Sequence, residues 1–360
     1  MPKQKRILLE AHNIKNMYSG FGQFNYWLIK NLISNNEEFK FIVNAKSKSS
    51  IKEFDGQIDF QKYYSLSRYE FFRTRKKYDL WHSLNQNSKI EPRHKMPYLL
   101  TLHDVIFLEK DPIENIKKED IEQLQRKIDR CDAIAYISNH AKQSANHYLN
   151  IPSNLHQPVI YNGNPVIASE EKIAKPIVNF NLNKPFIFCI GQFLEMKNFH
   201  SLISMLHHLK SDYQLIIAGN NDKPYKEVVQ HEISKFKLED KVYLAGKISE
   251  QEKHYYLQNC EAFVFPSLFE GFGLPPIEAM AYGKPVFLAN RTSLPEIGGK
   301  YSFYWDSFDG ESMATVFTNG MNTFEKQKTI YQKELRNRAQ KFNWDTTAKE
   351  YIKLYSKILG

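Results

Sequence analysis

The stretch FPSLFEGFGLPPIEAMAYGKPV, residues 265–286, decides how the rest of the chain is read. An apolar run ends at Ser267, a glycine-rich turn follows, and Pro275 and Pro276 open a segment with helical spacing. Proline suits a first helical turn, where its missing N–H would have no intrahelical acceptor. A strand that passes through such a turn into a helix exposes backbone N–H groups at the carboxyl edge of a parallel sheet, and the helix N-terminus adds positive potential. A phosphate or diphosphate is the expected guest, and Gly271 and Gly273 permit its close approach. Two carboxylates, Glu270 in the turn and Glu278 in the first helical turn, do not suit a bare phosphate cradle, because like charges repel. A ligand with hydroxyls accounts for them. One carboxylate can accept from a ribose and the other from a second sugar while amides hold a diphosphate between.

Outward from this stretch, short apolar runs alternate with amphipathic segments in two series. The first runs from RILLEAH through FKFIVNA, YDLWHS and YLLTLHD to AIAYIS; the second from PFIFCIG through QLIIAG, KVYLAG and AFVFPS to PVFLAN. Such a rhythm predicts an α/β fold with buried parallel sheets covered on both faces. At 360 residues, two cores are expected. We divide the chain into an N-terminal domain over 1–165, a proline-containing linker over 166–185, a C-terminal domain over 186–342, and a terminal amphipathic helix over 343–360.

The segment 265–286 resembles the Glu-x7-Glu signature of the retaining family-four glycosyltransferases. That resemblance implies the GT-B fold, two Rossmann-like domains facing each other across a cleft, with an acceptor on the first and a nucleotide-sugar donor on the second. It implies that Glu278 binds the donor ribose, Glu270 the donor sugar, and the backbone of Phe272, Gly273 and Leu274 the diphosphate. GQFLEMKN, from Gly191, is similar to the family's glycine turn ending in Lys-Asn, so Lys197 would stabilise the leaving diphosphate. Where relatives place an Arg, this chain has Gln192 and Met196. His103, at the end of YLLTLH, resembles the family's His-Asp beside the transferred sugar. Gly20 and Gly22 resemble its first strand-to-helix loop, where amides approach the donor. Gly246, Lys247 and Ile248 lie where relatives let the main chain meet the base, and the final helix would cross back to the first domain. The implied reaction moves a hexose from a GDP- or UDP-sugar to a glycan or lipid-linked acceptor with retention, in cell-surface polysaccharide or lipopolysaccharide assembly. Two rivals remain: a GT-B epimerase or phosphorylase, and a binding or scaffold subunit without turnover.

The sequence shows no Asp-x-Asp, His-x3-His or cysteine pair, so neither a metal nor a cofactor beyond the donor is expected. Three dispersed cysteines fit a reducing cytoplasm, and no apolar run reaches the length of a membrane span. The net charge of +9 is uneven: residues 1–165 hold 25 Lys and Arg against 18 Asp and Glu, the remainder 24 against 22. No nucleic-acid module is recognisable in the basic half. The densest basic stretch, YYSLSRYEFFRTRKKY over 63–78, interleaves Arg68, Arg73, Arg75, Lys76 and Lys77 with Tyr69, Phe71 and Phe72. Two readings stand open. Phe71 and Phe72 pack into the first core and the cations are merely solvated, or the stretch is helical and exposed and docks on an anionic membrane surface at the inner face of the cell membrane.

Overall fold

The computed structural model describes residues 4–110, 115–166, 168, 173–176, 178 and 180–360. The chain divides into two compact units, Met1–Gly163 with Phe342–Gly360, and Asn164–Lys341.

The first unit runs β1 (Lys5–Glu10), α1 (Gly20–Asn35), β2 (Phe39–Ala45), β3 (Asp59–Lys62), β4 (Leu80–Ser83), β5 (Tyr98–Leu102), α2 (Ile106–Lys110), α3 (Lys118–Ile128), β6 (Ala133–Tyr136) and α4 (Asn139–Tyr148). The second runs β7 (Phe186–Ile190), α5 (Phe199–His208), β8 (Gln214–Ala218), α6 (Tyr225–Phe236), β9 (Val242–Gly246), α7 (Glu250–Asn259) and β10 (Ala262–Phe265). It continues through α8 (Leu274–Ala281), β11 (Val286–Ala289), α9 (Leu294–Gly298), β12 (Phe303–Trp305), α10 (Gly310–Lys326) and α11 (Lys328–Gln340). The last helix, α12 (Trp344–Leu359), belongs to the first unit.

The strand orders are β3-β2-β1-β4-β5-β6 and β12-β11-β10-β7-β8-β9, each a six-stranded sheet. Every strand pairing is parallel. Helices cover both faces of such sheets, which is why the central strands read as unbroken apolar runs. Read from β9 or from β3, each order reverses direction once, between β7 and β10 or between β1 and β4. Neighbouring crossovers diverge at that point and leave a crevice at the strands' carboxyl ends, where ligands of open α/β sheets bind.

The described residues of 166–185, where a linker is expected, join the second unit: Leu182 is buried and Phe180 stacks on Tyr243 with ring centroids 5.0 Å apart. Positions 167, 169–172, 177 and 179 of that stretch lie outside the described residues. The final helix buries Trp344, Ala348, Tyr351 and Tyr355 against α1 and the first sheet. There His82, wholly buried on β4, has Nδ1 2.8 Å from the Tyr355 hydroxyl and Nε2 2.8 Å from Thr101 Oγ1, itself 2.9 Å from the Tyr351 hydroxyl. Burial pushes the His82 imidazole down to about 3, so at neutral pH it is an uncharged connector between sheet and helix.

Candidate functional site

In the second unit, the turns after β7 and β10 flank the reversal point. The chain leaves β7 at Gly191 and makes a one-turn 3-10 helix, Glu195–Lys197. The Met196 carbonyl accepts from the Leu268 amide at 2.8 Å and from Ser267 Oγ at 3.3 Å, latching this turn to the one after β10. Lys197 lays its stem past Gly191, sets its ammonium 5.4 Å from the centre of the Phe265 ring, and hydrogen-bonds Glu270 Oε1. Both side chains of this pair are only 14% exposed. A cation and a carboxylate thus meet at the carboxyl end of β10, four residues before helix α8 begins.

Glu270 is held through its backbone as well. Its amide donates to Thr292 Oγ1 at 3.1 Å, and Ser293 Oγ donates to the carbonyls of Glu270 and Phe272 at 2.9 and 2.7 Å. Thr292 sits at φ 52°, a left-handed conformation that costs a β-branched residue roughly 1–3 kcal/mol and clusters at functional sites. Gly273, at φ 120°, caps α8, where a Cβ would approach Leu294 Cδ2 to 3.1 Å. Pro275 and Pro276 then remove two N–H groups from the first turn. The helix's outward-pointing amides are therefore gathered at its very start, around Leu274, beside Glu270.

Glu278 is the fifth residue of α8, one turn further in than the sequence reading places it, and is 6% exposed. Its Oε1 lies 3.0 Å from Nζ of Lys253 on α7, which also contacts Glu250 at 2.8 Å. Burial opposes the charge on Lys253, but the two carboxylates outweigh it and hold the ammonium well above its ordinary range. The turn after β8 closes this edge: Gly219, at φ 136°, would place a Cβ 1.7 Å from the Gly191 carbonyl, so no side chain fits. Gly246 follows at φ 68°, the half-buried Ile248 lies beyond it, and the exposed Lys247 pairs with Asp222 at 3.6 Å. Arg291 lies with its guanidinium 5.6 Å over the Phe308 ring.

In the first unit the structure modifies two expectations. Gly20 and Gly22 lie within the first turn of α1, not in a loop, and the Gly22 amide is donated to the Ser19 side chain that caps the helix. His103 turns its imidazole inward: Nε2 donates to the Leu84 carbonyl at 2.9 Å, and the ring meets Phe21 and Phe24 edge-on at 4.9 and 4.6 Å. Burial depresses it to about 4, so it is neutral at pH 7 and carries no proton between the two forms a general acid needs. The loop supporting it is fixed by Lys127, whose buried ammonium donates to the carbonyls of Gln86 and Ser88, while Gln86 Oε1 accepts from the His103 amide at 3.1 Å. Burial lowers Lys127 to about 8.

The chain resembles known proteins in both sequence and fold. Residues 170–342 match the family model described as "Glycosyl transferases group 1". That stretch, just under half of the chain, is similar to the group 1 glycosyl transferases. Over 240 residues the chain is 28% identical to the serotype-specific mannosyltransferase WbdA of Escherichia coli, covering 64% of this chain and 29% of that one. It is 28% identical over 200 residues to the O-antigen chain mannosyltransferase RfbU of Salmonella typhimurium, covering 54% of this chain and 53% of that one. It therefore spans less than a third of the length of the first relative and about half of the second. HepE of Anabaena, solved with UDP and glucose, matches 98% of this chain and 100% of its own at TM-score 0.77 and 17% identity. The lipopolysaccharide outer core galactosyltransferase WaaB matches 98% and 99% at TM-score 0.68 and 17% identity. The fold is GT-B.

Within the family region, sequence reasoning missed Lys253 and Thr292. Lys253 carries a faint signal, an acidic neighbour three residues earlier at Glu250, whereas Thr292 acts through a backbone angle that composition does not encode. In the basic stretch the reading with packed aromatics is overturned: Phe71 is 74% exposed and Phe72 52%. Arg73 departs from the other cations, being largely buried and 3.5 Å from Glu91, which Arg130 also meets at 2.6 Å.

Proposed function

We propose that the protein is a glycosyltransferase that moves a hexose from a GDP- or UDP-linked donor to a glycan or lipid-linked acceptor, with retention of configuration and without a metal. Its setting would be cell-surface polysaccharide assembly, in the cytoplasm at the inner face of the membrane. The observation that carries this reading is the Lys197–Glu270 pair at the carboxyl ends of β7 and β10, beside the start of α8. A departing diphosphate gathers negative charge. The Lys197 ammonium and the first amides of α8 meet that charge in a partly dry site, where fixed donors stabilise a transition state most. Glu270, relieved of Lys197 by the phosphate, accepts from hydroxyls of the transferred sugar. Glu278, already oriented by Lys253, accepts from the ribose. With retention, the acceptor hydroxyl approaches from the face the diphosphate leaves and passes its proton to a phosphate oxygen. The relatives named as mannosyltransferases and the UDP-bound structure support this donor class.

The test is a thermal-shift panel of UDP-, GDP- and ADP-sugars, followed by product NMR with the stabilising donor. A bound donor at 100 times its Kd raises stability by roughly 2.7 kcal/mol. Lys197→Ala and Glu270→Ala should fold normally and lose at least about ten-fold in turnover, equivalent to roughly 1.4 kcal/mol each. Activity should survive EDTA, and an inverted product would remove the retaining mechanism. The rival reading, a binding subunit without turnover, draws on the engagement of Lys197 by Glu270 and on Gln192 and Met196 standing after Gly191 and before Lys197. Donor-induced stabilisation without transfer or hydrolysis would establish that rival.

A further inference from the structure

Between β3 and β4 the chain makes two 3-10 turns, Ser65–Arg68 and Glu70–Phe72, neither of which buries a residue. Two tyrosines pin the segment at its ends: Tyr63 stacks on His12 with centroids 4.9 Å apart, and Tyr78 is buried against Trp81. Everything apolar between them faces outward. Tyr64, Leu66, Tyr69, Phe71 and Phe72 are each more than half exposed, and they account for five of the seven large apolar side chains so placed among the described residues. Phe71 and Phe72 meet edge to face at 5.3 Å, and Arg93 holds the loop by donating to the Phe71 carbonyl at 3.1 Å. The conformation is thus anchored with its aromatics outward, at a cost in hydration that a monomer's surface rarely bears without a partner.

The surrounding charge selects the partner. Lys62, Arg68, Arg75, Lys76 and Lys77 are all exposed, whereas Glu70 is the one carboxylate between residues 62 and 77. Lys62 lies 5.2 Å over the Tyr64 ring and Arg68 4.9 Å over the Tyr69 ring, so cations and rings form one surface. Phenylalanines with a wholly apolar body, tyrosines with a polar tip, and flanking cations are the order in which a lipid interface changes from acyl chain to headgroup to anionic surface. We propose that residues 62–77 dock the protein on an anionic bilayer, with Phe71 and Phe72 entering the headgroup region and Lys62, Arg68, Arg75, Lys76 and Lys77 meeting the lipid charge. Arg73 takes no part, since it is committed to Glu91. The docking is independent of glycosyl transfer, and either reading can fail without the other.

The experiment is co-sedimentation of the full chain with vesicles of phosphatidylcholine alone or of equal parts phosphatidylcholine and phosphatidylglycerol. Binding is expected only to the anionic vesicles and should fall at high salt. Phe71→Ser with Phe72→Ser, and separately Arg75→Ser with Lys76→Ser and Lys77→Ser, should each weaken binding at least about ten-fold. Both variants should keep the wild-type circular dichroism and donor-induced thermal shift, since none of the five side chains is buried. Equal recovery on neutral vesicles, no binding to either, or unaltered binding by both variants overturns the proposal. So does a concentration-dependent dimer that the Phe substitutions abolish, because the surface would then be a protein interface.

Discussion

Lys253 and Glu278 are the residues on which the second unit's interior electrostatics turn. Each side chain is under one tenth exposed, and each answers the other at 3.0 Å. Removing one partner of such a pair leaves a buried charge uncompensated, which costs about 3–5 kcal/mol, whereas removing both costs far less. Lys253→Met should therefore lower the stability measured by urea denaturation by several kcal/mol, and Lys253→Met combined with Glu278→Gln should recover much of it. A double variant no more stable than Lys253→Met would show that Glu278 finds another counter-charge. The carboxylates at 270 and 278 are legible in the sequence because they break the logic of a phosphate cradle. Their partners are not. Lys253 reaches Glu278 across 25 residues from a different helix, and Thr292 fixes Glu270 through a positive φ.

At the scale of elements, a parallel strand buried on both faces must be apolar throughout, and that constraint makes strands such as β5, β7 and β10 readable as runs. Irregular segments carry no such period. Nothing local separates Tyr63 and Tyr78, which turn inward, from Phe71 and Phe72, which do not; only the two 3-10 turns decide it. The start of α1 shows the same limit. Its glycines look alike in sequence, yet a Cβ at Gly22 would lie 1.9 Å from the Asn16 carbonyl, while one at Gly20 meets nothing within 4 Å. Gly22→Ala should accordingly destabilise by about 1–3 kcal/mol, as an overpacked site does, and Gly20→Ala should be neutral or slightly stabilising. Equal melting temperatures for the two variants would mean that the chain before α1 moves aside freely.

For the molecule as a whole, the first unit is discontinuous in sequence and the second is not. A chain ending at residue 342 keeps every residue of the second unit but loses Trp344, Tyr351 and Tyr355, buried side chains worth about 1.5–3 kcal/mol each, and the hydroxyl partners of His82 and Thr101. Calorimetry of that truncation should show the second unit's transition preserved and the first unit's lowered or absent. A single unchanged melting profile would mean that α12 contributes nothing to the first unit. The same arrangement sets an order on biosynthesis. Domains ordinarily complete their folds as they leave the ribosome, the earlier one first. Here the earlier unit waits for Phe342–Gly360, which are synthesised after the whole of the second unit, so the later unit is complete in sequence before the one that precedes it. Until then the first sheet holds His82 and Thr101 without their tyrosines, and a nascent chain that stalls before residue 342 presents an unfinished core to the cell's chaperones.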